Sequence, residues 1–206
     1  FGCSLEARYL QIFKGDEIEF PEDGYQGEDI KDLAKEYADL NGDSLVNVSA
    51  EERKKALVDF ALPKNISKMQ AVVDLLTEKG LTYEKEGAVW YKNKEVLTQK
   101  LLKEGKSQKY IDNLELKDDV LIRQNGNPTY FTADIAYHKN KFDRGFTTLI
   151  DVWGADHHGH VMRMKGAMDA IGYDGDKLNV VLMQLVKLVK DGELVKMSKR
   201  TGKAIQ

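Results

Sequence analysis

The chain has 206 residues, of which 42% are hydrophobic, and this length can bury a sizeable core as one large domain or two small ones. A net charge of −3 argues against a general nucleic-acid coat, and a lone cysteine, Cys3, excludes an internal disulfide. No apolar run approaches the roughly 18 residues of a membrane span, so we expect a cytoplasmic protein without membrane contact. Because the sequence starts at Phe1 and ends just after a functional-looking loop, we also expect a piece of a larger protein.

The first third of the chain is predicted to be helical. Apolar spacing predicts helices over residues 4–13 and 28–40. Ser49 and Ser67 each begin a capping-box pattern, with Glu or Gln three residues later, which predicts two further helices. Because Pro63 stands between them, we expect the first of these two helices to end before the proline.

A pattern with a period of two replaces the helical one over residues 81–92. Aromatic residues suited to strands lie on both sides of Glu86-Gly87, which predicts a β-hairpin. Lysine-rich helical patterns follow at residues 94–103 and 107–113, and we interpret their charges as solvated faces.

The last part of the chain alternates between strands and helices. The predicted elements are strands at 120–123 and 129–132, a helix at 134–142, a strand at 149–153, a helix at 161–171, a strand at 178–183 and a hairpin over 186–195. The order apolar strand, helix, apolar strand predicts a parallel βαβ unit. We therefore place a domain boundary near Lys117. Residues 1–116 would form a mainly helical region with a hairpin near 81–92, and residues 117–206 part of a doubly wound α/β domain.

Residues 196–200, with the sequence KMSKR, place three cations within five positions directly behind the predicted hairpin. The cations are Lys196, Lys199 and Arg200, with the hydroxyl of Ser198 between them. A loop of this composition can neutralise the charge that develops on a triphosphate as it is cleaved. The alternative for a short basic cluster is a solvated turn.

Residues 154–160, with the sequence GADHHGH, stand between a predicted strand and a predicted helix. Ligands of open α/β sheets bind where strands end, and a helix N-terminus offers them free N–H groups. Gly154 would let a ligand approach the backbone, and Asp156 is suited to accept hydrogen bonds from ribose hydroxyls. The sequence therefore predicts a nucleotide site here.

The same stretch also allows a metal site. Possible ligands are Asp156, His157, His158 and His160. Asp-His-His is the name-giving motif of the DHH phosphoesterases, but those enzymes need further aspartates in set motifs that this sequence lacks. We therefore expect no tightly bound metal ion.

Tyr130 and Asp134 are four residues apart where a predicted strand gives way to a helix, so both side chains can point into one pocket. A carboxylate there can form a bidentate pair with a guanidinium. The alternative is a carboxylate that only complements the helix dipole.

Three segments together resemble the arginyl-tRNA synthetases, a family of class I aminoacyl-tRNA synthetases. They are TYFTADIAYH (129–138), DVWGADHHGHV (151–161) and VKMSKRTG (195–202), the last similar to the KMSKS signature of that class. FPEDGYQG (20–27) and GLTYEKEGAVWYK (80–92) resemble the connective region of the same family. The resemblance covers nearly the whole chain.

The resemblance implies an α/β fold. Residues 117–206 would be the C-terminal half of a doubly wound, Rossmann-like catalytic sheet that ends in the KMSKR loop, and residues 1–116 a mainly helical connective insertion. The implied function is that of an arginine–tRNA ligase, an enzyme of protein biosynthesis. Such an enzyme activates L-arginine with ATP, supplied as its Mg²⁺ complex, and transfers the arginyl group to tRNA-Arg.

The resemblance also implies roles for individual residues. The implied arginine-binding residues are Tyr130, Asp134 and His157. The implied ATP-binding residues are Gly154, Asp156, Met197 and Lys199. The implied catalytic residues, which stabilise the leaving pyrophosphate or shape the loop, are Lys196, Ser198, Lys199 and Arg200.

The sequence departs from the family pattern in three places. Residues 157–160 have the form H-x-G-H, but they lie too close to the KMSKR loop to be the HIGH element, which stands far upstream in this class. The HIGH element itself is absent. The helical anticodon-binding domain of the family is absent too. Between Met69 and Gln70 the family usually carries a further connective stretch. We therefore expect the chain alone to be inactive. A metal-dependent phosphoesterase and a noncatalytic tRNA-binding module stay open as alternatives.

Overall fold

The computed structural model describes residues 1–184 and the backbone of residues 188–190 and 193–195. Its helices are α1 (Gly2–Lys14), α2 (Glu28–Asn41), α3 (Ala50–Glu78), α4 (Asn93–Lys103), α5 (Gln108–Asp112), α6 (Tyr130–Asp143) and α7 (His158–Ile171). Its strands are β1 (Thr82–Lys85), β2 (Ala88–Tyr91), β3 (Asp119–Ile122), β4 (Leu149–Gly154), β5 (Leu178–Met183), β6 (Leu188–Lys190) and β7 (Glu193–Val195). Phe1–Val72 form one compact unit, and the remainder of the chain forms the other.

The first unit packs α1, α2 and the beginning of α3 around an apolar core. Buried side chains in this core include Leu5, Tyr9, Ile30, Leu33 and Leu57. Burial of a large apolar side chain contributes about 1.5–3 kcal/mol to folding. The hydroxyl of Tyr9 donates to the carbonyl of Gly42 and accepts from the N–H of Leu45, which ties the segment after α2 to α1.

The predicted break at Pro63 is wrong, because α3 continues through the proline. Proline removes one backbone N–H, and therefore one hydrogen bond, from a helix interior. Buried side chains before and after the proline, such as Ala61 and Val72, compensate for that loss by packing. Ser67 does not cap a new helix, since its hydroxyl donates to the carbonyl of Lys64 within α3.

The predicted hairpin over residues 81–92 is present and gains a third strand. Glu86 and Gly87 adopt positive φ angles of 55° and 73°, as in the tight type I′ turns that join antiparallel strands. β2 also pairs antiparallel with β3, which gives the sheet order β1-β2-β3. The predicted boundary near Lys117 thus falls between β2 and β3, which pair in one sheet. The division of the chain into a connective insertion and a catalytic region stays a prediction.

The predicted strand before α6 is wrong, because α6 already begins at Tyr130. Thr129 is the N-cap: its hydroxyl accepts from the N–H of Thr132 and donates to the carbonyl of Val120. The hydroxyl of Thr132 donates to the carbonyl of Leu121. β-branched threonines favour strands, but here their hydroxyls cap the helix and anchor it to β3.

β4, α7 and β5 form the predicted parallel unit. β4 pairs with β5 in parallel, from Leu149 opposite Leu178 to Gly154 opposite Met183. α7 ends at Gly172, whose φ of 100° is the left-handed conformation that glycine adopts most easily. β6 and β7 pair antiparallel as predicted, and the turn predicted between them lies outside the described residues.

The expected α/β fold class is confirmed by the parallel sheet and by the mainly helical region with its hairpin. One face of the β4–β5 pair is apolar and exposed, with Ile150, Val152, Val181 and Met183 side by side. Parallel sheets usually have both faces covered. In the described part of the chain, no helix has both the length and the apolar character needed to cross a bilayer.

Candidate active site

An open cleft of about 840 Å³ lies along β4, between α6 and the start of α7. Its lining includes Tyr130, Asp134, Asp151, Asp156, His157, His160 and Arg163. Clefts of several hundred Å³ accommodate small-molecule substrates. The cleft extends past the carboxyl end of a parallel strand, where α/β sheets bind their ligands.

Tyr130 and Asp134 lie one turn apart on α6, and both line the cleft. Tyr130 is 85% exposed. The side chain of Asp134 is half-exposed, and its Oδ2 atom lies 3.3 Å from Nε2 of His160 on α7. The carboxylate of Asp134 therefore faces the cleft with room for a ligand.

The turn after β4 is a short 3-10 helix, Ala155–His157, that leads directly into α7. Asp156 and His157 line the cleft with exposed side chains, and Oδ2 of the first lies 3.8 Å from Nε2 of the second. Gly154 has φ −66° and ψ 149°, a conformation that any residue adopts. Glycine at this position leaves space beside the backbone because it has no side chain, and the backbone conformation itself does not require glycine.

A buried charged cluster also lines the cleft. Nδ1 of His138 donates to the carbonyl of Asp134 at 2.7 Å, and Nε2 of the same ring lies 2.6 Å from Oδ2 of Asp151. Nζ of Lys141 lies 3.2 Å from Oδ1 of Asp151. Burial raises the pKa of Asp151, but the hydrogen bond and charge of His138 and the charge of Lys141 outweigh it, so this pKa is below its usual value. Asp151 is therefore ionised and neutralised inside the cluster.

A second ion pair joins α7 to β3. Arg163 contacts Asp119 through two nitrogens, with Nε 3.1 Å from Oδ2 and Nη2 on Oδ1. Nδ2 of Asn93 donates to the same carboxylate at 2.9 Å. Burial raises the pKa of Asp119, and the contacts with Arg163 lower it only in part, so the pKa stays above its usual value. The guanidinium also lies 5.0 Å from the ring centre of Phe131, which fixes it against α6.

The acidic groups of the cleft differ in how far they are neutralised. Asp151 contacts His138, which is buried, and Lys141, which is partly exposed. Among the described residues, Asp134 has only His160 as an ion-pair partner, and Asp156 has only His157. Two carboxylates without Lys or Arg partners on an open cleft favour a ligand that brings its own positive charge or several hydroxyl donors.

Sequence reasoning did not select the residues that hold the cleft together, which are His138, Asp151, Asp119 and Arg163. One signal was present, because Asp151 is a charged residue inside the apolar strand LIDVWG. Another was the four-residue spacing of Asp134 and His138 on one helix. Neither signal identifies a partner on another element.

The predicted loop residues Lys196, Met197, Ser198, Lys199 and Arg200 lie outside the described residues. Their predicted roles therefore stay predictions. Within the part of the chain that the structure describes, no three His, Cys, Asp or Glu side chains are grouped as a metal ion would require. The histidines of residues 157–160 diverge, since His160 faces Asp134 while His157 stays exposed beside Asp156.

Several known proteins that are similar to this chain in sequence are all arginine–tRNA ligases. An arginine–tRNA ligase from Ruminiclostridium cellulolyticum is 48% identical over the whole chain, and one from Caldanaerobacter subterraneus is 50% identical. A third, from Acetivibrio thermocellus, is 47% identical. In each case the chain spans 38% of the relative's length. No profile of a protein family matches the chain.

Solved structures give the same name at lower similarity. A crystal structure described as an arginyl-tRNA synthetase from Campylobacter jejuni shares 33% identity at a TM-score of 0.48, covering 95% of this chain and 44% of that one. An arginyl-tRNA synthetase from Thermus thermophilus shares 14% identity at a TM-score of 0.46, covering 87% of this chain and 39% of that one. At these scores the assignment rests on the sequence relatives.

A parallel unit with a cleft past the end of its strand is the arrangement in which doubly wound α/β proteins bind their ligands. Within that class, the sequence relatives are specific. Each of these relatives is an arginine–tRNA ligase, and the chain is similar to them over its entire length.

Proposed function

We propose that the chain is part of an arginine–tRNA ligase, which activates L-arginine with ATP and transfers it to tRNA-Arg. The observation that carries this proposal is the alignment of the entire chain with arginine–tRNA ligases at up to 50% identity. As a translation enzyme it would work in the cytoplasm, with arginine, ATP and tRNA-Arg as its partners and no membrane contact. ATP would enter as its Mg²⁺ complex, without a tightly bound metal ion in the protein.

The arginine side chain would bind at α6. Asp134 would accept two hydrogen bonds from the guanidinium, a pairing that matches the planar fork of the ligand. Tyr130 lies one turn away on α6, and His157 lines the cleft from the 3-10 helix after β4. The absence of a Lys or Arg partner for Asp134 among the described residues supports this assignment, because the ligand would supply the missing charge.

ATP would bind at the end of β4. Gly154 would admit the nucleotide next to the backbone, and Asp156 would accept hydrogen bonds from the ribose hydroxyls. Met197 and Lys199 would complete this site from the KMSKR loop.

The chemistry proposed for the KMSKR loop is stabilisation of charge. The arginine carboxylate attacks the α-phosphate of ATP, and pyrophosphate leaves. Lys196 and Lys199 would stabilise the charge on that leaving group, with Ser198 and Arg200 shaping the loop.

We further propose that residues 117–206 belong to the catalytic domain and residues 1–116 to a connective insertion. The exposed apolar face of β4 and β5 supports a further layer packed on that face in the whole enzyme, since parallel sheets usually have both faces covered. Alignments with the relatives run over 231–233 positions, more than the 206 residues of this chain. The relatives therefore carry extra residues within the matched region, in keeping with the connective stretch expected between Met69 and Gln70.

Arginine-dependent exchange of pyrophosphate into ATP tests this proposal. The full-length protein containing this chain should catalyse exchange with arginine and not with lysine or citrulline, whereas the isolated chain should catalyse none. At arginine concentrations that saturate the wild type, the Asp134→Asn variant of the full-length protein should lose most of its exchange. His158→Gln, at an exposed position outside the assigned residues, should keep it. Binding of tRNA without any arginine-dependent exchange would instead favour a noncatalytic tRNA-binding module. Phosphoester hydrolysis dependent on added Mn²⁺ would favour the phosphoesterase alternative.

A further inference from the structure

The imidazole of His160 is held in place by two aromatic rings. Its ring centre lies 5.7 Å from that of Phe131, edge to face, and 5.2 Å from that of Trp153. The side chain is only 18% exposed. Because the two rings belong to α6 and β4, while His160 belongs to α7, three elements fix the position of one imidazole.

The fixed imidazole directs a hydrogen-bond donor at Asp134. Nε2 of His160 lies 3.3 Å from Oδ2 of the carboxylate. Asp134 is half-exposed, and an exposed aspartate has several accessible rotamers. A donor that cannot move stabilises the one rotamer that reaches it, so the carboxylate is oriented before any ligand arrives.

We propose that His160 is a positioning residue for arginine recognition, which holds the carboxylate of Asp134 in the orientation that receives the guanidinium. This inference rests on the proposed function. Bidentate pairing requires both carboxylate oxygens to lie in the plane of the guanidinium fork, so a wrongly turned carboxylate offers only one hydrogen bond. Each oxygen accepts two hydrogen bonds, so Oδ2 can accept from His160 and from the ligand together.

The test is pyrophosphate exchange by the full-length protein with three single substitutions. His160→Leu keeps an apolar side chain between the rings but removes the donor, and the KM for arginine should rise roughly tenfold or more, with the KM for ATP unchanged. His160→Gln retains an N–H donor and should restore most of the loss. His158→Gln, two residues before it and exposed, is the control and should behave as wild type.

One further readout separates positioning from a general structural role. In Asp134→Asn, adding His160→Leu should cause no further loss, because the carboxylate to be oriented is already gone.

The outcomes are distinguishable. A wild-type enzyme without arginine-dependent exchange overturns the proposed function, and this inference with it. Normal exchange in wild type with an unchanged KM for arginine in His160→Leu overturns the inference alone. Equal rises of the KM for arginine and for ATP also overturn it, since they indicate a distorted cleft rather than a misplaced carboxylate.

Discussion

Nε2 of His138 lies 2.6 Å from Oδ2 of Asp151, and this contact joins α6 to β4 in the lining of the cleft. The other ring nitrogen faces the carbonyl of Asp134, which can only accept a hydrogen bond. Lys141, also on α6, contacts the second oxygen of Asp151. The carboxylate of Asp151 therefore holds α6 against β4 through two side chains.

The first prediction concerns Asp151 and acid stability. The pKa of Asp151 is lower in the folded chain than its ordinary value of about 3.9, so the stabilisation it provides is fully present above that pH. The stabilisation is lost as the pH falls through the lowered pKa. In Asp151→Asn, the free energy of unfolding should be lower at pH 7 and should depend less on pH below about 4 than in wild type. Urea titrations followed by circular dichroism at several pH values measure this, with exposed Asp112→Asn as the control. Parallel pH profiles for wild type and Asp151→Asn would contradict it.

The second prediction concerns the pair between Arg163 and Asp119. Removing the guanidinium in Arg163→Met leaves the mostly buried Asp119 with the hydrogen bond from Asn93 but without its ion-pair partner, and should cost about 2–3 kcal/mol of unfolding free energy. The double variant with Asp119→Asn should recover part of that loss, because the amide carries no charge to leave unpaired. Urea denaturation measures both, and Arg123→Met, at an exposed position, should change stability by less than about 0.5 kcal/mol. Additive effects of the two substitutions would show that the pair contributes nothing.

The third prediction separates the two ends of the cleft. In the full-length protein, Asp134→Asn should raise the KM for arginine about a hundredfold and leave the KM for ATP nearly unchanged, since a neutral amide cannot pair with a guanidinium bidentately. Asp156→Asn should show the opposite pattern, with a higher KM for ATP. Steady-state pyrophosphate exchange measures both constants. The assignment fails where both variants raise the same constant.

The fourth prediction concerns the proline inside α3. Pro63→Ala restores a backbone N–H within a continuous helix, which stabilises the folded chain. Alanine also makes the unfolded chain less rigid than proline does, which opposes folding. The net effect should be a stabilisation of about 1–2 kcal/mol. Thermal unfolding measures the change, and Lys68→Ala at an exposed position of α3 controls for helix propensity alone. Destabilisation by Pro63→Ala would indicate that the helix is bent at the proline in a way that its packing requires.

Most helices and strands were predictable from the sequence, and each error in the prediction has an identifiable physical cause. The hairpin over residues 81–92 followed from aromatic strand residues around Glu86-Gly87, and the parallel unit followed from two apolar strands separated by a helix. The break expected at Pro63 failed because packing outweighs one missing hydrogen bond. The strand expected before α6 failed because the hydroxyl of Thr129 caps a helix and the hydroxyl of Thr132 anchors that helix to β3.

The sequence by itself determined the α/β class, the family resemblance and the residues that line the cleft at Tyr130, Asp134 and Asp156. Those depend on periodicity, caps and motifs, which act over a few neighbouring residues. Only the tertiary structure decided that His160 contacts Asp134 across 26 positions, and that Arg163 contacts Asp119 across 44. The physical reason is that such contacts depend on how α6, α7 and β3 pack together, and helix packing is set by the whole core rather than by any local pattern.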